Sequence, residues 1–240
     1  MFLSRILRRR ARVALAGPTA SDRCCASIEA LLVESVPLIA ARCDDRAASL
    51  GLGWINERDQ LQPWSEEVVG ELVDTSGGCS VGRNWAVAMP EWPRVGRIDL
   101  TMANAGIGTP AFIELKCGRD RDALTACAWD LLKVSLALQR ADTQCAYLLA
   151  ATTTDLWRQP IRGSEFFEDA EWDLDTVRTR FEEWWREWQR RGDPLPVQVP
   201  AGGRTTRLAA AGFHVAGVEW DLRLSRVSDP GPLKPWVQFP

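Results

Sequence analysis

Residues 97–117 read RIDLTMANAGIGTPAFIELKC, and three charged side chains in that stretch decide how the chain is read. Two apolar runs, RIDLTMA and PAFIELKC, flank the turn-like NAGIGT and predict a β-hairpin. Side chains alternate across a strand. Ile98, Leu100 and Met102 therefore share one side of the first arm, and Arg97, Asp99 and Thr101 the other. In the second arm Ile113, Leu115 and Cys117 oppose Phe112, Glu114 and Lys116. Paired around NAGIGT, the arms bring Asp99 to the Glu114–Lys116 edge. A charge inside a sheet costs stability unless it is paired or holds a cation. Either Asp99 or Glu114 forms a cross-strand ion pair with Lys116 or Arg97, a contact worth little when exposed, or two carboxylates and an ammonium converge on one site.

The flanks extend the pattern. PWSEEVVGELVDTSGG, from Pro63, shows helix start and stop signals, and NWAVAMP reads as a strand before the hairpin. After it, DRDALTACAWDLLKVSLALQRA places Leu124, Ala128, Leu131, Ser135 and Leu138 on one helical face, with Asp120 and Asp122 at the dipole-favoured start. TQCAYLLAATTT is a buried strand. Helix, three antiparallel strands, helix, strand is an α/β order whose last crossover lays a parallel strand beside the meander. The expected fold is thus a mixed central sheet, antiparallel meander plus crossover strand, flanked by helices.

Upstream, residues 21–42 predict a helix with Ile28, Leu31, Leu32, Ser35, Leu38 and Ile39 on one face and Pro37 kinking it. GLGWINERDQLQP reads as a loop or short strand. Downstream come a helix, DLDTVRTRFEEWWREWQRR, capped by Asp173 or Asp175, a Pro-edged strand PLPVQVP, a hairpin RTTRLAAAGFHVAGVEWDLRLSRV and a Pro-rich tail. The expected organisation is a basic arm over 1–20, an α/β core over 21–155, and a C-terminal α+β extension over 156–240 packed on that core.

Composition narrows the function classes. The 240 residues are 46% hydrophobic and 25% charged with net charge −3, so a nucleic-acid contact requires a local basic patch. Of 29 cationic residues only Lys116, Lys133 and Lys234 are lysines, an arginine bias expected of a GC-rich bacterial genome. Seven cysteines, an odd number without C-x-x-C, predict a reducing cytoplasm and argue against a disulfide framework or a zinc site. The arm MFLSRILRRRARVALAGPTA has too short an apolar run for a secretory core, and no stretch suits a bilayer span. It reads as a loose surface arm, with phosphate binding the sharper alternative.

RIDL, a short hairpin and IELK, with a helix before and an αβ unit after, resemble the PD-(D/E)xK nuclease superfamily over about residues 63–151, the restriction-endonuclease-like fold. The literal Pro-Asp pair is absent, since Val95-Gly96-Arg97-Ile98 precedes Asp99. The resemblance implies a metal-dependent nuclease hydrolysing phosphodiesters, with DNA the expected substrate. Asp99, Glu114 and the Leu115 carbonyl would hold Mg²⁺ or Mn²⁺, and Lys116 would be the catalytic lysine. A further acid is expected from the preceding helix: Glu67 or Glu71, with Glu66 and Glu34 behind them. The alternative is a catalytically inactive nuclease-like binding or regulatory protein of immunity type. A homodimer or a protein partner stays open.

Other features read more plainly. Asp130 and Lys133 are spaced for a solvated i,i+3 pair, although the helix could lend a polar residue to the site. His214, the only histidine, reads as packed or surface. Phe181, Trp184, Trp185 and Trp188 recur as a core stripe, with base stacking beside Arg186, Arg190 and Arg191 the lesser reading. SGGCSVG and NAGIGTP are turn material without a phosphate-loop pattern.

Overall fold

A computed structural model describes residues 20–76, 79–87, 96–104, 110–159, 164–179, 186, 190 and 198–236. The basic arm, the centre of the NAGIGT turn and the stripe of Phe181, Trp184, Trp185 and Trp188 lie outside the described residues.

Helix α1 spans Ala20–Leu50, longer than its apolar pattern suggested, with Pro37 inside it. Val36, Ile39, Ala40 and Cys43 are all buried around the proline, and that packing offsets the lost backbone bond. The helix stops at Gly51, φ 61°. There the Leu52 N–H donates to Ala47 O at 3.0 Å and the Gly51 N–H to Ala48 O at 3.2 Å, the paired closure that a left-handed glycine allows.

The stretch expected to be loop or strand is a π-helical turn, Glu57–Leu61, running directly into α2, Gln62–Ser76. Asn56 caps it: its Oδ1 accepts the Asp59 N–H at 2.8 Å while Gln60 Oε1 accepts the Asn56 N–H at 2.8 Å.

Strands β1 (Cys79–Val87), β2 (Gly96–Asn104) and β3 (Ala111–Cys117) form the expected antiparallel meander. Helix α3 (Arg121–Gln139) then crosses over to β4 (Ala146–Thr153), which runs parallel to β3. The short helix α4 (Thr154–Arg158), a 3-10 turn (Ser164–Phe167), β5 (Ala170–Asp173) and helical residues 174–179 follow. Asp173 caps the last of these, Oδ1 accepting the Thr176 N–H at 2.7 Å.

The C-terminal strands correct the expected organisation. β7 (Gly202–Val215) and β8 (Val218–Ser228) form a hairpin about Ala216 and Gly217, whose φ values of 50° and 77° suit a tight two-residue turn. β8 pairs with β4 from Ala146↔Val227 to Thr153↔Trp220. The hairpin therefore continues the core sheet instead of packing on it. The result is a seven-stranded mixed sheet, β1-β2-β3-β4-β8-β7-β5, flanked by helices. β6 (Gln198–Pro200) pairs with β9 (Leu233–Pro235) in a small second sheet.

Each face of the large sheet has its own core. α1 and α2 cover Leu100, Ile113, Leu115, Leu149, Trp220 and Leu222. α3 covers Phe112, Leu148 and Ala150 on the other face. Residues 130–137 of α3 are all buried, far more than a single apolar stripe. Phe166, Phe167, Trp172, Val177, Val199 and Trp236 belong to the same core as α3, so the C-terminal segment covers its outer side. Among the described residues no helix is long and apolar enough to cross a membrane.

The cysteine reading is also corrected. Cys25 and Cys145 form a disulfide, joining α1 to the entry of β4 across 120 residues of sequence. Spacing gave no sign of it, because the partners meet only through α1 packing on the sheet. Disulfides typically contribute about 2–4 kcal/mol, with longer loops toward the upper end. Dithiothreitol is expected to lower the urea midpoint correspondingly, and Cys145→Ser to start at the lowered value and ignore the reductant. A midpoint indifferent to both would remove the bridge from the account of stability.

Candidate functional site

Asp99 sits where the ladder between β2 and β3 ends. The paired residues are Met102↔Ala111, Thr101↔Phe112 and Leu100↔Ile113. Beyond them, Asp99 Oδ2 accepts the Leu115 N–H at 2.9 Å, a side chain standing in for the missing backbone partner. The Asp99 carbonyl accepts from Gln62 Nε2 of α2 at 2.9 Å. Alternation breaks here as well: Ile98 lies in the core beneath α3, and Leu100 in the opposite core. Across from them β1 has Arg83 opposite Leu100 and Trp85 opposite Ile98. Asn84 between them has φ 50°, a left-handed conformation that Asn tolerates. The two strands thus splay at Asp99.

Glu114 and Lys116 project from β3 on the α3 side, and neither pairs with the other. Five side chains instead form a chain of alternating charge. Glu57 Oε2 lies 3.1 Å from Lys116 Nζ, which lies 3.0 Å from Asp130 Oδ2. Asp130 Oδ1 lies 3.3 Å from Lys133 Nζ, which lies 2.7 Å from Glu114 Oε2. The Lys116–Asp130 contact is an ion pair without hydrogen-bond geometry at Oδ2. Lys133 Nζ also donates to the Arg97 carbonyl at 2.9 Å. The chain runs inward, from side chains 22% exposed at Glu57 to 2% at Glu114.

The electrostatics follow the burial. Desolvation pushes the Glu57 carboxyl up; the nearby Lys116 charge opposes this and Asp99 adds to it. Desolvation pushes Glu114 well above the carboxylate range, with Lys133 opposing and Asp130 and Asp99 adding. Burial disfavours the Lys116 ammonium, but Asp130 and Glu57 outweigh it and the pKa is raised. Lys133 is raised likewise, Glu114 and Asp130 overcoming its burial. Both lysines therefore stay protonated at physiological pH.

Lys116 and Glu57 open onto a groove of about 530 Å³, whose walls include Trp54, Arg119, Asp120 and Asp122. The Arg119 guanidinium lies 5.8 Å from the centre of the Trp54 ring. The groove thus offers two cations, three carboxylates and a half-exposed indole at the mouth of the charged chain.

The structure places each sequence-derived residue. Asp99 accepts the Leu115 N–H and its charge acts on the Glu114 carboxyl, while Lys116 turns to Glu57 and Asp130. Glu67 and Glu71 do not join them. Both face α1, where Glu67 Oε1 lies 2.6 Å and Glu71 Oε2 3.0 Å from the Arg42 guanidinium, and Glu66 lies 3.3 Å from Arg83. Helix α2 turns its acidic face outward because Val68, Val69 and Val73 occupy the inner one. Glu57 and Asp130 supply the extra carboxylates. The Asn56 cap with Asp59 and Gln60 was the signal for the turn that carries Glu57. Asp130 and Lys133, spaced like a solvated pair, are buried because they lie on the face of α3 that packs on the sheet, against Lys116, Glu114 and the Arg97 carbonyl. His214 is a surface residue, its Nδ1 3.8 Å from Asp44 Oδ2.

The donors at the splay suit a hard divalent cation, which prefers carboxylate and carbonyl oxygens. Glu114 Oε1 is buried without a hydrogen-bond partner. In an extended strand a residue's N–H and C=O leave the same edge, so the Leu115 carbonyl shares the Asp99 side with its N–H. Among the described residues no group of three or more His, Cys, Asp or Glu side chains is arranged to hold a metal. The set at hand is two carboxylates and a carbonyl. In comparison with known proteins, no family model, no curated protein and no solved structure matches the chain.

A pH dependence follows from Glu57. Its folded pKa lies above the ordinary 4.5, so on raising the pH the unfolded chain releases this proton first. Stability is lost between 4.5 and the raised value, until the folded group ionises too. Glu57→Gln has no such titration. The unfolding free energy of wild type minus variant is expected to fall from about pH 4 to about pH 7 in urea titrations. A flat or rising difference would show that Glu57 is not desolvated.

Proposed function

We propose that the protein is a metal-dependent phosphodiesterase of the restriction-endonuclease-like fold, acting on DNA. The observation that carries this reading is Asp99 Oδ2 accepting the Leu115 N–H where the β2–β3 ladder ends. Leu115 lies in the strand between Glu114, whose Oε1 is buried without a hydrogen-bond partner, and Lys116. The α–βββ–α–β order, with β4 parallel to β3, supports the same assignment.

In this reading Asp99, Glu114 and the Leu115 carbonyl would hold Mg²⁺ or Mn²⁺. Bound there, such an ion lowers the pKa of a coordinated water and offsets charge on the phosphate. Lys116 works as an ammonium. Its raised pKa rules out a general base and suits it to orienting water and stabilising negative charge at the groove. Glu57, whose carboxyl is pushed up and lies 3.1 Å from Lys116, is the group suited to carrying a proton. Asp130 fixes Lys116 from behind. Arg119 and Trp54 on the groove wall can meet a phosphate and a base.

A second reading, a nuclease-like module that binds a partner without cutting, is favoured by one observation: Lys116 already has two carboxylate partners.

Nicking of supercoiled plasmid with Mg²⁺ or Mn²⁺ separates the two. Wild type is expected to nick, and Lys116→Ala to lose about 10²-fold or more of the rate, the scale of a removed electrostatic contact in a transition state. Equal nicking by both would remove Lys116 from catalysis. No nicking by a folded wild type with either ion, on plasmid or on RNA, favours the binding module.

A further inference from the structure

The Lys133 ammonium has three oxygen neighbours: Glu114 Oε2 at 2.7 Å, the Arg97 carbonyl at 2.9 Å and Asp130 Oδ1 at 3.3 Å. Carboxylate and carbonyl oxygens gathered about one positive centre are what a hard cation takes. Here a side chain supplies that centre. Glu114 is 2% exposed, and its second oxygen, Oε1, is buried without a hydrogen-bond partner. One oxygen of the same carboxylate is thus engaged by an internal cation and the other is left over.

We propose that Lys133 is a built-in competitor for the divalent cation at Glu114. The ion gains the whole Glu114 carboxylate only by displacing the ammonium from Oε2, and the ammonium is then retained by Asp130 and the Arg97 carbonyl. This rests on the metal-dependent reading above and adds to it a control on loading. The ammonium keeps Glu114 compensated inside the fold, which a bare buried carboxylate could not be. It also weakens divalent binding, because the incoming ion must break one ion pair and then sit near a like charge. Asp130 has a double part, anchoring Lys116 on one oxygen and receiving Lys133 on the other.

With only three lysines in the chain, the side-chain ammonium spectrum of ¹⁵N-lysine-labelled wild type is simple, and Lys133 is assigned by its loss in Lys133→Arg. Mg²⁺ is expected to shift the Lys133 signal saturably, with the midpoint that calorimetry gives for Mg²⁺ binding, and to leave Lys234 unmoved. Separately, Mn²⁺ binding read by electron paramagnetic resonance is expected to be at least about tenfold tighter in Lys133→Met than in wild type, a difference near 1.4 kcal/mol. Lys133→Arg, which keeps the charge, should stay within about threefold of wild type.

The proposal is overturned if Mg²⁺ binds by calorimetry while the Lys133 signal stays put. It is equally overturned if folded Lys133→Met binds Mn²⁺ no more tightly than wild type. If Lys133→Met does not fold, the wild-type spectrum decides alone. Nicking by a wild type whose Lys133 signal ignores Mg²⁺ sinks this inference and spares the nuclease reading. Absence of any Mg²⁺ or Mn²⁺ binding sinks both.

Discussion

Two ammonium groups beneath α3 hold the centre of this protein together. Asp99, Glu114, Asp130 and Glu57 place four carboxylates around one splay in the sheet, and isolated buried carboxylates are among the costliest groups a fold can carry. Lys116 and Lys133 thread between three of them, so each ammonium touches two acids. Backbone completes the compensation: the Leu115 N–H serves Asp99, and the Arg97 carbonyl serves Lys133. The docking of α3, the parting of β2 from β3 and the seating of the Glu57 turn all bear on this one network. Neutralising one member leaves its neighbours uncompensated, so the group stands or falls as a unit.

The network has a direction. It begins at the groove with Glu57 and Lys116 and ends in the interior with Glu114, so charge is most solvated at the groove and least beneath α3. Because the lysines stay protonated and two carboxyls are pushed up, the usual roles exchange. The lysines hold fixed positive charge, and in the proposed function a glutamate would carry protons. An enzyme and a non-cutting relative of the same fold would share this architecture. What distinguishes them is whether the ion pairs around Lys116 yield to a phosphate.

Much of the fold was legible from periodicity. The meander, the crossover helix and the parallel strand follow from alternation in RIDLTMA and PAFIELKC and from the helical stripe through Leu124, Ala128 and Leu131. Asp99, Glu114 and Lys116 stood out as charges in apolar strands, and each is compensated there: Asp99 by the Leu115 N–H, Glu114 by Lys133, and Lys116 by Glu57 and Asp130. Other parts were not legible, each for a physical reason. Glu67 and Glu71 sit at good helical spacing, but spacing does not say which way α2 is rolled, and Arg42 on α1 claims both. The pair Asp130–Lys133 looks the same in sequence whether solvated or buried; the cover comes from β2 and β3, on which that face of α3 is docked. Cys25 and Cys145 carry no motif and meet through a helix-on-sheet contact.

Sequence by itself determined the local structure and its order, because backbone geometry ties hydrophobic period directly to helix or strand and a turn of five or six residues leaves a meander little choice. It also determined that charge had been placed inside the sheet. Tertiary structure decided which charges compensate which. Ion pairs are selected by distance in space, and distance here depends on the roll of α2 against α1 and on which face of α3 docks on β2 and β3. No period within one segment encodes those long-range contacts. The composition of the site, Glu57 and Asp130 in and Glu67 and Glu71 out, follows from them.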